Sequence, residues 1–205
     1  MTRNLIASAA LLSLLGTAQA SLVVSAPSLH AYSGYDGTPA TITGTLTHGY
    51  TGTLTALSAG TISFTYLGKE AWNTTQFNFN GRSITDSTRL TDSARLGSTI
   101  TGQISAGRVN FSFTDVTRGV TYQNGAIGAM MFTPGVRTSQ YGAFDFVIGF
   151  NDKGVFLDPR DCDFDDFVVG VKFTPAIPEP STYAMMGIGL VGLAWAARRR
   201  RATGR

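Results

Sequence analysis

Thr61-Ile62-Ser63-Phe64-Thr65-Tyr66 decides the fold. Its large apolar side chains fall on every second residue and small hydroxyl residues fill the gaps, which is the period of a strand with one buried face. Three further stretches repeat the pattern. Val109, Phe111 and Phe113 alternate with Asn110, Ser112 and Thr114; Phe144, Phe146, Ile148 and Phe150 form a third face, and Phe167, Val169, Val171 and Phe173 a fourth. Each set places its bulk on one side of a strand, where two sheets can bury it against each other. The chain is therefore expected to be all-β, an antiparallel, jelly-roll-like β-sandwich. Gly44, Gly52, Gly60, Ala106-Gly107 and Asn124-Gly125 read as turns between the runs, the last as a hairpin signal. The polar stretch 81–97, with Asp86, Arg89, Asp92 and Arg95 spaced by three, reads as a short surface helix or an extended loop, and its Ser and Thr content favours the loop.

Both ends depart from this composition. Residues 1–20 carry Arg3, an apolar run from Leu5 to Leu15, and Ala18-Gln19-Ala20, the small-x-small pattern cut by signal peptidase; the mature chain is expected to start at Ser21. At the other end Pro178-Glu179-Pro180 precedes 17 uncharged residues, Ser181 to Ala197, and then Arg198-Arg199-Arg200-Arg201. The uncharged run predicts a transmembrane helix over 181–197, reaching roughly 26 Å against a hydrocarbon core of about 30 Å. Four guanidinium groups resist crossing lipid and stay cytoplasmic, so the body lies outside. Tyr183 and Trp195 suit the two interfaces. Three regions follow: a signal peptide at 1–20, an exported domain at 21–177, and a sorting and anchor segment at 178–205.

The run Ile177-Pro178-Glu179-Pro180-Ser181-Thr182-Tyr183-Ala184, with the helix and basic cluster behind it, resembles the PEP-CTERM sorting signal of Gram-negative bacteria. A Gram-positive sortase signal would need Leu-Pro-x-Thr-Gly, which is missing. The resemblance implies recognition by exosortase, a membrane-embedded cysteine protease-like enzyme that processes the tail. It also implies export through the inner membrane, where the C-terminal segment is an anchor until processing, and then residence at the cell surface or in the extracellular matrix. Proteins with this signal are generally associated with exopolysaccharide and biofilm, so the resemblance implies a secreted, non-catalytic surface or matrix protein. The alternative is an exported carbohydrate-binding or carbohydrate-active module.

Set apart from its ends, the body has ten Lys and Arg against twelve Asp and Glu, a net charge of −2, so the basic excess of the whole chain belongs to the two terminal segments. This balance argues against nucleic acid. Cys162 is the one cysteine, which excludes an intramolecular disulfide. His30 and His48 fall in no triad or zinc spacing, and no catalytic residue is assigned.

One stretch of the body concentrates charge: Asp152, Asp158, Asp161, Asp163, Asp165 and Asp166, six acids within 15 residues. They repel one another unless spread into solvent or neutralised, and oxygen ligands suit Ca²⁺. Asp161, Asp163 and Asp165 would present alternate carboxylates to one side, with Asp166 and Asp152 as further ligands. The loop is not an EF-hand, since Lys172 stands where the bidentate glutamate belongs. Gly149-Phe150-Asn151-Asp152 followed by Asp161-Cys162-Asp163-Phe164-Asp165-Asp166-Phe167-Val168 resembles a block near the end of many exported bacterial β-sandwich domains. The competing reading is a turn whose aspartates cap backbone N–H groups while Arg160 offsets charge. Two further residues stand out in the body. Lys69 and Glu70, at a strand end, read as a surface ion pair, and Trp72 reads either as a cover for the core edge or as a face for a sugar ring.

Overall fold

The computed structural model describes residues 22–31, 42–43, 48–87, 89, 91, 93–153, 163–176 and 180–202. The strands in order are β1 (Leu22–Ala31), β2 (Ile42–Thr43), β3 (His48–Ala56), β4 (Gly60–Gly68), β5 (Thr75–Phe79), β6 (Arg82–Thr85), β7 (Thr99–Ile104) and β8 (Gly107–Arg108). They continue as β9 (Phe111–Asp115), β10 (Val120–Gln123), β11 (Met130–Pro134), β12 (Arg137–Thr138), β13 (Gly142–Ala143), β14 (Phe146–Phe150) and β15 (Phe167–Pro175), followed by helix α1 (Pro180–Ala202). The chain divides into two units at Pro175/Ala176, the sheets in the first and the helix in the second. The expected signal peptide, with Ala18, Ala20 and Ser21, lies outside the described residues, as do Gly44, Asp158, Asp161 and Cys162.

All the strand pairs are antiparallel. The larger sheet runs β1-β3-β11-β14-β15-β4-β7, with β8 on β3; the second runs β10-β9-β5-β6, and a small third runs β13-β12-β2. The alternation at Thr61–Tyr66 becomes the middle of β4, where Ile62, Phe64 and Tyr66 are fully buried. Phe64 meets the second sheet through Phe77 and Phe111, with ring centroids 4.8 and 5.5 Å apart. Phe113 stacks on Phe150 at 4.8 Å, and Tyr66 lies 4.6 Å from Phe167. Aromatic pairs at these spacings contribute about 0.5–1.5 kcal/mol each beyond the area they bury. The sandwich expected from the four alternating runs is thus formed, with aromatic rings filling the space between its layers.

A second apolar cluster covers the opposite face of the large sheet: Leu67, Met131, Val136, Phe144, Val147, Phe164 and Val168. This corrects one expectation, because Phe144 does not share the face of Phe146, Ile148 and Phe150. The strand begins at Phe146, and the backbone of Asp145 is diverted into bonds with Gly135 and Val171 before it, so the alternation breaks there. The Phe144 ring occupies the space above Gly170, where a Cβ would come within 2.5 Å of it.

Turn assignments change as well. Asn124-Gly125 is no hairpin: β10 pairs with β9 and β11 with β14 and β3, so this dipeptide carries the chain from one sheet to the other. Gly52 lies inside β3 at φ +142°, beside the register shift of β1, where a Cβ would sit 2.6 Å from the Ser25 carbonyl oxygen. The tight hairpin is Asn80-Gly81 between β5 and β6, with φ of +51° and +71°, the left-handed pair that a two-residue loop demands. The 81–97 stretch, read as a loop, is strand at Arg82–Thr85, where it pairs with β5; beyond β6 its described residues form bends and turns, with Thr91 bridging Glu70.

Candidate functional site

Three connections meet at one end of the sandwich. β14 runs out into Asn151-Asp152-Lys153; the chain returns at Asp163, where Asp165 bridges Phe150 in parallel and its carbonyl accepts the Glu70 N–H at 2.7 Å. The β4–β5 connection brings Glu70 to Thr74, and the β9–β10 turn brings Arg118. Together they enclose a cleft of about 430 Å³ lined by Glu70, Ala71, Trp72, Asn73, Arg118, Asp152, Lys153, Asp163 and Asp166.

Asn73 ties the cleft together. Its amide donates to Asp152 Oδ2 at 2.6 Å and to Asp115 Oδ2 at 3.1 Å. Arg118 donates its Nη1 to the Asp152 carbonyl at 2.8 Å and lies 3.7 Å from both the Asp115 and Asp152 carboxylates. The Asp152 N–H in turn donates to Asp166 Oδ2 at 2.7 Å. Asn151 braces the loop from within, donating to the Asp163 carbonyl and accepting the Lys153 N–H. This part of the turn reading holds: aspartate and asparagine side chains here bond backbone groups. Burial, followed by the charge of Asp152, pushes the Asp166 carboxyl up to about 8, against the opposing pull of the Asp152 N–H; Asp163 and Asp165 add smaller upward contributions.

Of the five carboxylates predicted to act together, Asp161 lies outside the described residues and the other four divide between the cleft and the end of β14. Asp152, Asp163 and Asp166 line the cleft, but Asp165 is buried in the bridge to Phe150 and does not. Alternate residues share a side only in continuous strand, and β15 begins two residues later, at Phe167. Among the described residues no group of three His, Cys, Asp or Glu side chains is placed to hold a metal ion.

Two other readings change. Lys69 is not a surface residue: it is fully buried and paired with Asp86, not Glu70. Trp72 does not cover the core edge but is 72% exposed on the rim of the cleft. Asn73 and Arg118 carried no signal in the sequence, because each reaches the cleft from a connection remote in the chain from the aspartate run, and Asp115, buried at the end of β9, holds Asn73 from behind.

The second unit is helix α1. Pro180 opens it, at the end where a missing N–H costs nothing, and the helix continues through the arginine block. Arg199 lies over the Trp195 ring, 4.2 Å from its centroid. Pro178 and Glu179 lie outside the described residues. The family model for the PEP-CTERM protein-sorting motif matches residues 176–201. This chain carries a PEP-CTERM sorting motif. The motif supports an exported protein directed to exosortase, with a C-terminal sorting signal and a surface destination. No curated protein and no solved structure matches the chain. Among the described residues no helix is long and apolar enough to cross a membrane, so the span expected over 181–197 is not shown. Ser181, Thr182 and Tyr183 at its start and Gly187, Gly189 and Gly192 along it dilute the hydropathy of a run that charge alone marked as lipid-compatible.

Proposed function

We propose that this is a non-catalytic surface or extracellular-matrix protein, exported, cut by signal peptidase and by exosortase, and associated with exopolysaccharide in a biofilm. The observation that carries the reading is a PEP-CTERM motif at residues 176–201 placed directly behind an all-β unit that ends at Pro175. The motif handles delivery; the sandwich is what is delivered. Before cleavage, helix α1 holds the chain at the inner membrane, with Arg198 to Arg201 on the cytoplasmic side. Supporting this, the apolar residues Met185, Met186, Ile188, Leu190, Val191 and Leu193, at about 100° of rotation per residue, spread around the helix and leave no polar face before the arginines.

The intact mass of the protein recovered from the cell surface tests this. A product beginning at Ser21 and lacking the arginine block is expected. Recovery from cytosol with Met1 and Arg205 both retained would overturn it.

A further inference from the structure

We propose that the cleft beneath Trp72 is a binding site for a neutral saccharide, with the indole stacking on one pyranose face and the surrounding polar groups taking its hydroxyls. The indole is the first reason. A tryptophan that is 72% exposed forfeits most of the burial that usually holds this residue, and here it stands on a rigid base. Its neighbour Asn73 is bonded through its side chain to Asp115 and Asp152 and through its carbonyl to Lys69 Nζ at 2.7 Å, and the next residue, Thr74, donates its N–H to Thr117 Oγ1 at 2.9 Å. The ring is therefore presented on a fixed backbone, which spares a ligand the ordering cost of a mobile loop.

The second reason is the composition of the space under it. The cleft of about 430 Å³ has the size of a small-ligand site and combines acidic side chains (Glu70, Asp152, Asp163) with an amide and a guanidinium (Asn73, Arg118). Carboxylates accept from hydroxyls and the guanidinium donates to them, while the internal bonds among Asn73, Arg118 and Asp152 hold these groups in place. An apolar ring face beside several fixed polar groups matches a pyranose, which has C–H bonds on its faces and hydroxyls at its edge. Charge sets the class: even with Asp166 held protonated by burial, Glu70, Asp152 and Asp163 outnumber Arg118 and Lys153, which disfavours a uronate or a sulfated sugar and tolerates a neutral one.

This inference rests on the reading of the sandwich as a matrix component, but the two fail separately: cell-surface recovery tests delivery and the following tests the cleft. The chain has two tryptophans, so Trp195→Phe leaves Trp72 as the one fluorescent indole in the full-length protein. Titration of this variant with neutral hexasaccharides (glucan, galactan, mannan) should give a saturable change in Trp72 emission for at least one of them. Saturation-transfer NMR on the same sugar should show contact with ring protons, reduced at least tenfold by Trp72→Ala and only partly by Trp72→Tyr. An oligogalacturonate should not bind. Because Trp72 is exposed, Trp72→Ala should melt with the parent, which separates lost contact from lost fold. Absence of binding by all three neutral sugars, equal binding by Trp72→Ala, or binding of the uronate alone overturns the proposal.

Discussion

Lys69 Nζ lies 3.3 Å from Asp86 Oδ2, and both side chains are fully buried. The ammonium also donates to the carbonyls of Asn73 and Ser87, and Asp86 Oδ1 accepts the Thr75 N–H at 2.7 Å. One ion pair thus fastens the end of β4 to the β4–β5 connection and to the segment after β6. Asn73 belongs to that connection, so the pair also underpins the cleft.

Lys69→Met should therefore leave the Asp86 carboxylate buried without its cation and cost about 3–5 kcal/mol. Adding Asp86→Leu to it should recover a large part of the loss, since an apolar pair of similar volume needs no solvation. Urea unfolding of the single and double variants measures both; a single variant within about 0.5 kcal/mol of wild type would show the pair to be dispensable.

Asn124 stands in for a strand residue where the chain changes sheets. Its side chain accepts the Leu54 N–H at 2.9 Å and donates to the carbonyls of Leu54 and Val109 at 2.8 and 2.7 Å, all buried. Asn124→Ala leaves the Leu54 N–H and the Val109 carbonyl unpaired, while the Leu54 carbonyl keeps the Val109 N–H; at about 1–3 kcal/mol for each orphaned group the variant should lose about 2 kcal/mol or more. Amide hydrogen exchange at Leu54 should accelerate with it; unchanged exchange would assign the strand order to packing alone.

Gly170→Ala drives a methyl group into the Phe144 ring, whose nearest atom is 2.5 Å from the Cβ position. Overpacking of this kind costs about 1–3 kcal/mol. Phe144→Leu in the same chain should relieve part of it, and thermal melts of the two variants would reveal whether the ring is the obstacle.

The cleft should make stability depend on pH. Asp166 titrates near 3.8 in an unfolded chain and at about 8 in the folded one, so between those values the folded state holds a proton that the unfolded state lacks. Its contribution is fully present below the lower value and is lost as pH rises through the upper. Asp152, Asp163 and Asp165 face it as acids, with Arg118 opposing through Asp152. Melting temperature should fall between pH 5 and pH 8, and Asp166→Asn, which retains an acceptor for the Asp152 N–H, should flatten that slope. Parallel profiles for the two proteins would place the titrating group elsewhere.

Much of the fold was legible before any coordinates. Period-two alternation at Ile62–Tyr66, Val109–Phe113 and Phe167–Phe173 reports burial on one side of a strand, and those faces meet in the core. Where alternation misled, as at Phe144, a diverted backbone at Asp145 shifted the phase, and no side-chain pattern records that. The Asn80-Gly81 hairpin was available from its dipeptide and went unread, whereas Asn124-Gly125 has the same dipeptide and a different use. A turn signal specifies local φ and ψ but not which strands the turn joins.

The sequence by itself determined the layered β architecture and the sorting tail, because both are written in short-range order: a two-residue period, and a motif, a helix and a basic block in succession. Only the tertiary structure decided that Lys69 is buried against Asp86, that Asp165 is buried in a bridge to Phe150, and that Trp72 and Arg118 share a cleft with Asp152 and Asp166. These groups come from connections as much as 94 residues apart, from Trp72 to Asp166, and their proximity follows from how the strands order themselves in the sheets. Charge and burial at such a site are properties of that ordering, which no local pattern along the chain encodes.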